Sequence, residues 1–227
     1  MERAAQAFRI LGNLLVLIVR AVVLAWLFAV APAAAQLAVT PLASPAPDTL
    51  AAPIRQQLSP EGYKVALGAT TLELWWVSTV PFAGGGPPEW SKVAEGALVG
   101  VVRVSGSFKE IRGKTVNPGV YTLRFGLQPQ NGDHLGVSPF REYLLLSPAS
   151  ADQDPKALGF DASVALSKLT VGTSHPAALS LDPPLSTAAP LSSYKTELDH
   201  QGVTFQVKTS PSGSLTFGLV LVGLIEH

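Results

Sequence analysis

Ala97-Leu-Val-Gly-Val-Val-Arg-Val-Ser-Gly-Ser-Phe-Lys-Glu-Ile-Arg-Gly-Lys-Thr-Val-Asn-Pro-Gly-Val-Tyr-Thr-Leu-Arg-Phe-Gly-Leu127 is the stretch whose reading decides the fold. Its last part alternates strictly. Tyr121, Leu123, Phe125 and Leu127 fall on one face, and Val120, Thr122, Arg124 and Gly126 fall on the other. That period of two belongs to a half-buried strand. Asn117-Pro118-Gly119 suits a tight turn, with proline pre-setting φ at the second position and Gly119 supplying a positive φ at the third. The stretch therefore predicts a β meander in which the strands before and after this turn are hydrogen-bonded neighbours.

Working outward, Leu72, Leu74 and Trp76 alternate with Thr71, Glu73, Trp75 and Val77, so Trp76 belongs to a core face and Trp75 to a mixed one. Residues 82–90 form a glycine- and proline-rich loop. Residues 129–139 are rich in turn formers and too long for an ordinary hairpin, and residues 143–146 make a short apolar strand. Near residues 161–170 the period becomes helical: Asp161 caps, Val164, Leu166 and Leu169 supply an apolar side, and Gly172 ends the helix. Tyr194, Thr196 and Leu198 pair across residues 199–202 with Val203, Phe205 and Val207. The last strand, residues 215–225, is apolar on both faces and so is central and covered on both sides, which calls for two packed layers. Seven to nine strands and one short helix predict an all-β fold, an antiparallel β-sandwich, with a partly open β-barrel as the alternative.

The segment Ile111-Arg-Gly-Lys-Thr-Val-Asn-Pro-Gly-Val-Tyr-Thr-Leu123 resembles a hairpin of exported bacterial β-sandwich domains of unknown function. Related Pro-Gly-x-Tyr-Thr-Leu hairpins occur in transthyretin-like and carboxypeptidase-regulatory-like sandwiches. The resemblance covers one hairpin, implies a sandwich and brings no catalytic residue with it.

Residues 1–35 read as a signal peptide. Arg3 and Arg9 give a basic start, residues 14–19 and 21–30 an apolar run, and Ala33-Ala34-Ala35 a small-residue cleavage site before Gln36. The competing reading is an uncleaved inner-membrane anchor over residues 10–30, in which Arg20 near the middle would cost roughly 2.5–3.5 kcal/mol. Cleavage predicts a bacterial periplasmic or secreted protein that meets the membrane only through this segment. Residues 36–60, with five prolines among alanines and serines, read as an extended linker carrying at most a short helix near residues 54–58. The β domain is then 61–227.

The chain has 16 basic and 16 acidic residues. Loss of Arg3, Arg9, Arg20 and Glu2 with the leader leaves 13 and 15, a formal charge of −2, so no basic footprint for nucleic acid is implied. There is no cysteine, which removes disulfides, thiolate nucleophiles, a lipid attachment point and a blue-copper site. No Gly-x-Ser-x-Gly elbow is present. Gly113-Lys114-Thr115 is not a phosphate loop, because Phe108 stands where the first glycine belongs and no helix follows.

Two constellations remain. Asp133-His134 and Asp199-His200 each set a carboxylate beside an imidazole, and with His175 they are the candidate ligands of a Zn or Cu(II) ion, the basis of a small metal-binding protein or metallo-hydrolase. No pair has the spacing that holds two ligands on one face, so a site requires the loops to converge. Trp75 and Trp90 are candidate stacking platforms for a carbohydrate-binding module. The glutamates Glu73, Glu89, Glu95, Glu110 and Glu142 show no pairing that nominates a glycosidase acid and base. The leading expectation is a non-enzymatic binding or structural module, with no cofactor and with a protein or envelope component as partner.

Overall fold

The protein is described here from a computed structural model, in which residues 37–129, 140–183 and 189–223 are placed. The predicted leader (1–35) and the Asp133-His134 pair lie outside the described residues. The strands are β1 Ala38–Leu42, β2 Leu58–Leu67, β3 Thr70–Val77, β4 Val80–Pro81, β5 Leu98–Ser105, β6 Phe108–Lys109 and β7 Thr115–Val116. They continue with β8 Gly119–Leu127, β9 Glu142–Pro148, β10 Ala178–Asp182, β11 Ser193–Lys195, β12 Gln201–Ser210 and β13 Ser214–Val222. The helices are α1 Ala52–Arg55 and α2 Phe160–Val171.

The protein is all-β in character, as its residue alternation requires. Ten strands run antiparallel in the order β1-β2-β3-β5-β8-β9-β10-β13-β12-β11 and curl into an open half-barrel, with β6 and β7 as a separate ribbon. The curl brings strands far apart in this order face to face. Trp76 of β3 meets Phe205 of β12 and Phe217 of β13 edge-on, at centroid separations of 5.0 and 5.4 Å, and Tyr63 of β2 meets Phe205 at 5.6 Å. Edge-to-face aromatic pairs contribute about 0.5–1.5 kcal/mol each beyond their buried area. Directly after β3 the chain crosses to β12, where β4 pairs in parallel with Val80 opposite Thr209. Trp76 is thus a core residue, and β13 is buried on both faces over most of its length.

The parity of β8 is the predicted one, but the strand is covered on both sides. Leu123 and Phe125 point into the core, while Thr122 and Arg124 on the opposite face are equally buried, under the segment 149–159. Arg124 uses all five of its N–H groups. Nε donates to Asp152 Oδ2 (2.6 Å), one Nη2 hydrogen to Asp152 Oδ1 (2.7 Å) and the other to the Asp154 carbonyl. Nη1 donates to the Gly96 and Lys156 carbonyls at 2.7 and 2.8 Å. Thr122 Oγ1 adds a 2.5 Å bond to Asp152 Oδ2. A polar outer face therefore serves as the fastening for a covering loop.

The turn in the organising stretch falls elsewhere than expected. β8 pairs with β5, but β7 pairs with β6, so the strands flanking Asn117-Pro118-Gly119 are not partners of one another. Gly119 already belongs to β8 without a positive φ. The reversals are made instead by Gly106 (φ 100°), between β5 and β6, and Gly113 (φ 74°), between β6 and β7. Tyr121 explains the arrangement: its hydroxyl donates to the Asn117 carbonyl at 2.8 Å and its ring lies where a Cβ on Gly119 would go.

Residues 37–60, expected as a linker, fold onto the sheet. β1 pairs with β2 in antiparallel register from Ala38–Ala66 to Leu42–Gly62, and Leu37, Leu50 and Ile54 are buried. Their apolar side chains, spaced among the prolines, are the reason. The following turn covers Trp75, whose indole N–H donates to the Ser44 carbonyl at 3.0 Å.

Helix α2 matches its predicted span and ends at Gly172 in the left-handed conformation. Its buried side is the reverse of the expected one. Ser163, Ser167 and Thr170 face inward, with Ser167 Oγ donating to the Ala177 carbonyl and Thr170 Oγ1 to that of Leu146, both at 2.7 Å, whereas Leu169 is 61% exposed. Gly159, not Asp161, is the N-cap residue.

Candidate functional site

The 3₁₀ turn Trp90–Lys92 packs its tryptophan against the core. Its backbone is fixed by Lys92 N–H to the Glu89 carbonyl (3.0 Å) and by Ala83 N–H to the Lys92 carbonyl (2.9 Å). The Trp90 ring stacks on Phe125 at 5.1 Å and meets Phe217 edge-on at 5.3 Å, so it joins the core's aromatic cluster. Its buried indole N–H has no hydrogen-bond partner among the described residues, so ring packing holds the side chain. Trp90 stays partly exposed and borders a cleft of about 580 Å³.

The cleft is bounded by the turn, by the end of β10 and by the start of β13. Trp90, Phe140, Glu89, Glu142, Asp182 and Thr216 set its character. No lysine or arginine is among the described lining residues. Glu89 accepts from Ser91 Oγ at 3.2 Å and lies 3.8 Å from Lys92 Nζ, whose ammonium donates to the Gly85 and Pro87 carbonyls. Glu142 accepts from the Arg141 backbone N–H at 3.1 Å.

Asp182 belongs to the cleft wall and to a buried network behind it. Its Oδ2 accepts from the Tyr194 hydroxyl at 3.0 Å, and Oδ1 lies 3.1 Å from His200 Nδ1. Room for the Tyr194 ring comes from two glycines: a Cβ on Gly202 or on Gly218 would collide with the phenol, at 2.7 and 2.6 Å from its Cζ. Burial first, and the adjacent Asp182 charge and hydrogen bond second, push the Tyr194 phenol far above its ordinary value, so it remains a donor at every working pH. A carboxylate on Nδ1 fixes the orientation of an imidazole, as in many catalytic and metal sites. Here the described hydrogen bonds of the ring go to Asp182 alone, and no hydroxyl nucleophile is joined to it.

The predicted ligand pair is therefore re-partnered. His200 is buried against Asp182, while Asp199, in the left-handed conformation at φ 59°, turns its side chain outward to Lys195 Nζ at 2.8 Å. The bond to Lys195, then its charge, lowers the Asp199 carboxyl below its ordinary value. His175 is exposed in the segment between α2 and β10. Among the described residues no three His, Asp or Glu side chains gather in an arrangement that holds a metal ion.

Of the two tryptophan candidates, Trp75 is fully buried, with Arg103 over its ring at 5.8 Å, and presents no face to solvent. Trp90 borders the cleft. The structure also brings Glu89 and Glu142 to one lining, a pairing that separation along the chain concealed. Asp182 and Tyr194 carried no chemical signal of their own. Gly202 and Gly218, each inside a strand, did mark a close approach, because interior strand glycines make room for a neighbour. No family model, no curated protein and no solved structure matches this chain.

Proposed function

We propose that this chain is a non-enzymatic binding module whose ligand enters the cleft beside Trp90. The observation that carries the reading is a contrast in how polar groups are used. Arg124 with Asp152, and Asp182 with Tyr194 and His200, are buried and spend their hydrogen bonds on the fold. At the cleft, a tryptophan fixed by stacking stands beside partly exposed carboxylates and hydroxyls, in a volume within the roughly 300–1,000 Å³ of small-molecule sites. The proposal includes export directed by residues 1–35, supported by the basic, apolar and small-residue order of that segment. It also includes a sandwich-like arrangement of two facing layers, supported by the contacts from Tyr63 and Trp76 across to Phe205, with an envelope component as the source of the ligand.

A thermal-shift and tryptophan-fluorescence screen of small polar compounds tests the site. A ligand at one hundred times its Kd should stabilise the native state by about 2.7 kcal/mol. Ser214→Trp places a bulky ring on an exposed position at the cleft and leaves the core untouched. Hits should vanish in that variant. Hits of undiminished affinity would place the ligand elsewhere and end the proposal.

A further inference from the structure

We propose that the ligand of this cleft is a neutral saccharide; the inference rests on the binding-module reading and names its ligand class. Three properties of the lining select that chemistry. First, it offers carboxylate acceptors and hydroxyls: Glu89, Glu142, Ser91, Ser214 and Thr216. A ligand that satisfies them brings many O–H donors, and hydrogen bonds to an ionised acceptor are the stronger kind. Second, Trp90 and Phe140 put aromatic carbon beside those acceptors. A pyranose has the matching amphipathic form, with a C–H face for an aromatic ring and an equatorial rim of hydroxyls for the carboxylates.

Third, the charge pattern rejects the other polar ligands. No guanidinium or ammonium is among the described lining residues, and the neighbouring Lys92 ammonium is already engaged by Glu89 and two backbone carbonyls, so a phosphate, sulfate or uronate would face carboxylates with no cation free to bind it. A cation is served poorly for a different reason. Asp182 already accepts from the Tyr194 hydroxyl and lies 3.1 Å from His200 Nδ1, and Glu89 lies 3.8 Å from the Lys92 ammonium, so two of the three carboxylates already have partners within the protein. What remains are acceptor oxygens that already have partners but keep spare lone pairs, which suits hydroxyl groups.

The experiment is calorimetry with parallel tryptophan fluorescence on the whole protein. The neutral probes are cellobiose, maltose and chitobiose, glucuronic acid is the anionic probe, and spermidine is the cationic one. The expected result is binding of at least one neutral disaccharide and no heat from glucuronic acid. Glu142→Gln should weaken that binding about tenfold, the loss of one charge-assisted hydrogen bond. Trp90→Phe should weaken it while the fold stays intact, and Ser214→Trp should abolish it. Neutral-sugar binding unchanged by both Glu142→Gln and Trp90→Phe would overturn the assignment, as would glucuronic acid binding as well as the neutral sugars. Spermidine alone binding, lost in Ser214→Trp, overturns the saccharide class and leaves the cleft as the site. Silence from every probe, together with no cleft-dependent hit in the wider screen, overturns both.

Discussion

Removing the Asp152 side chain is the sharpest perturbation this fold offers. Arg124 has no solvent exposure, and two of its five N–H groups end on Asp152, which also accepts from Thr122 Oγ1. Asp152→Ala leaves a guanidinium charge in a site closed off from solvent, with two of its donors without acceptors. Stripping one partner from a buried ion pair costs about 3–5 kcal/mol. Against a total stability of about 5–15 kcal/mol, that is a large share, and the melting temperature should fall by on the order of 10 °C. Arg124→Met should cost a similar amount, because it strands the carboxylate and three backbone carbonyls. The double variant removes both charges, so its cost should be well below the sum of the two, with a coupling of at least about 1 kcal/mol. Chemical denaturation of the four proteins gives the cycle directly. An Asp152→Ala cost under about 1 kcal/mol, or strict additivity, would refute the view that this network fastens segment 149–159 to β8.

Gly218→Ala pushes a methyl group into the Tyr194 phenol and should cost about 1–3 kcal/mol by denaturation, whereas Gly68→Ala, in open space at φ 58°, should cost only about 1 kcal/mol of backbone strain. On helix α2, Thr170→Val should lose about 1 kcal/mol with its bond to Leu146, while Leu169→Glu should leave the denaturation midpoint within about 0.5 kcal/mol of the parent. All four tyrosines are pushed above their ordinary value, Tyr143 to about 12, chiefly by burial and then by Glu95. Unfolded phenols ionise near about 10, so the folded protein keeps protons that the unfolded chain loses. This share of the stability is complete below that pH and is lost as pH rises through about 12 for Tyr143. Phenolate absorbance of the native protein should lag that of the denatured protein, and Tyr143→Phe should flatten the alkaline fall in stability. Intact mass should show a mature chain starting at Gln36; a retained full-length chain would favour the anchor.

What was legible in the sequence was what depends on period. The faces of β3 and β8, the burial of Trp76 and the span of α2 all follow from repeats of two or of about 3.6, because the backbone dictates them locally. What was hidden depends on long-range partners. The apolar arc of α2 reads as its buried side, but the hydroxyls of Ser167 and Thr170 bond to the Ala177 and Leu146 carbonyls and win the interface. Arg124 read as solvent-facing because nothing marks Asp152 as its counter-ion before the chain folds. In the same way His200 was assigned its chain neighbour Asp199, when a left-handed residue turned that carboxylate away and a strand end delivered Asp182. The cleft is further still from the sequence: Trp90 is a visible candidate, but its companions Glu89 and Glu142 meet only because the start of β9 and the 3₁₀ turn line the same cleft.

The two ends of the strand series bear on how this protein behaves when crowded. A half-barrel leaves two rims, and a rim of unpaired amides is a template on which a second molecule can build a fibre. At one rim β1 carries Pro41, a residue with no amide hydrogen to offer to an incoming strand. At the other, β11 is only three residues long and ends in Lys195, whose ammonium is tied to Asp199. Short length and charge both discourage templated growth. Pro41→Val, which restores an amide hydrogen on β1, should therefore raise the rate of aggregation in concentrated solution, as followed by light scattering.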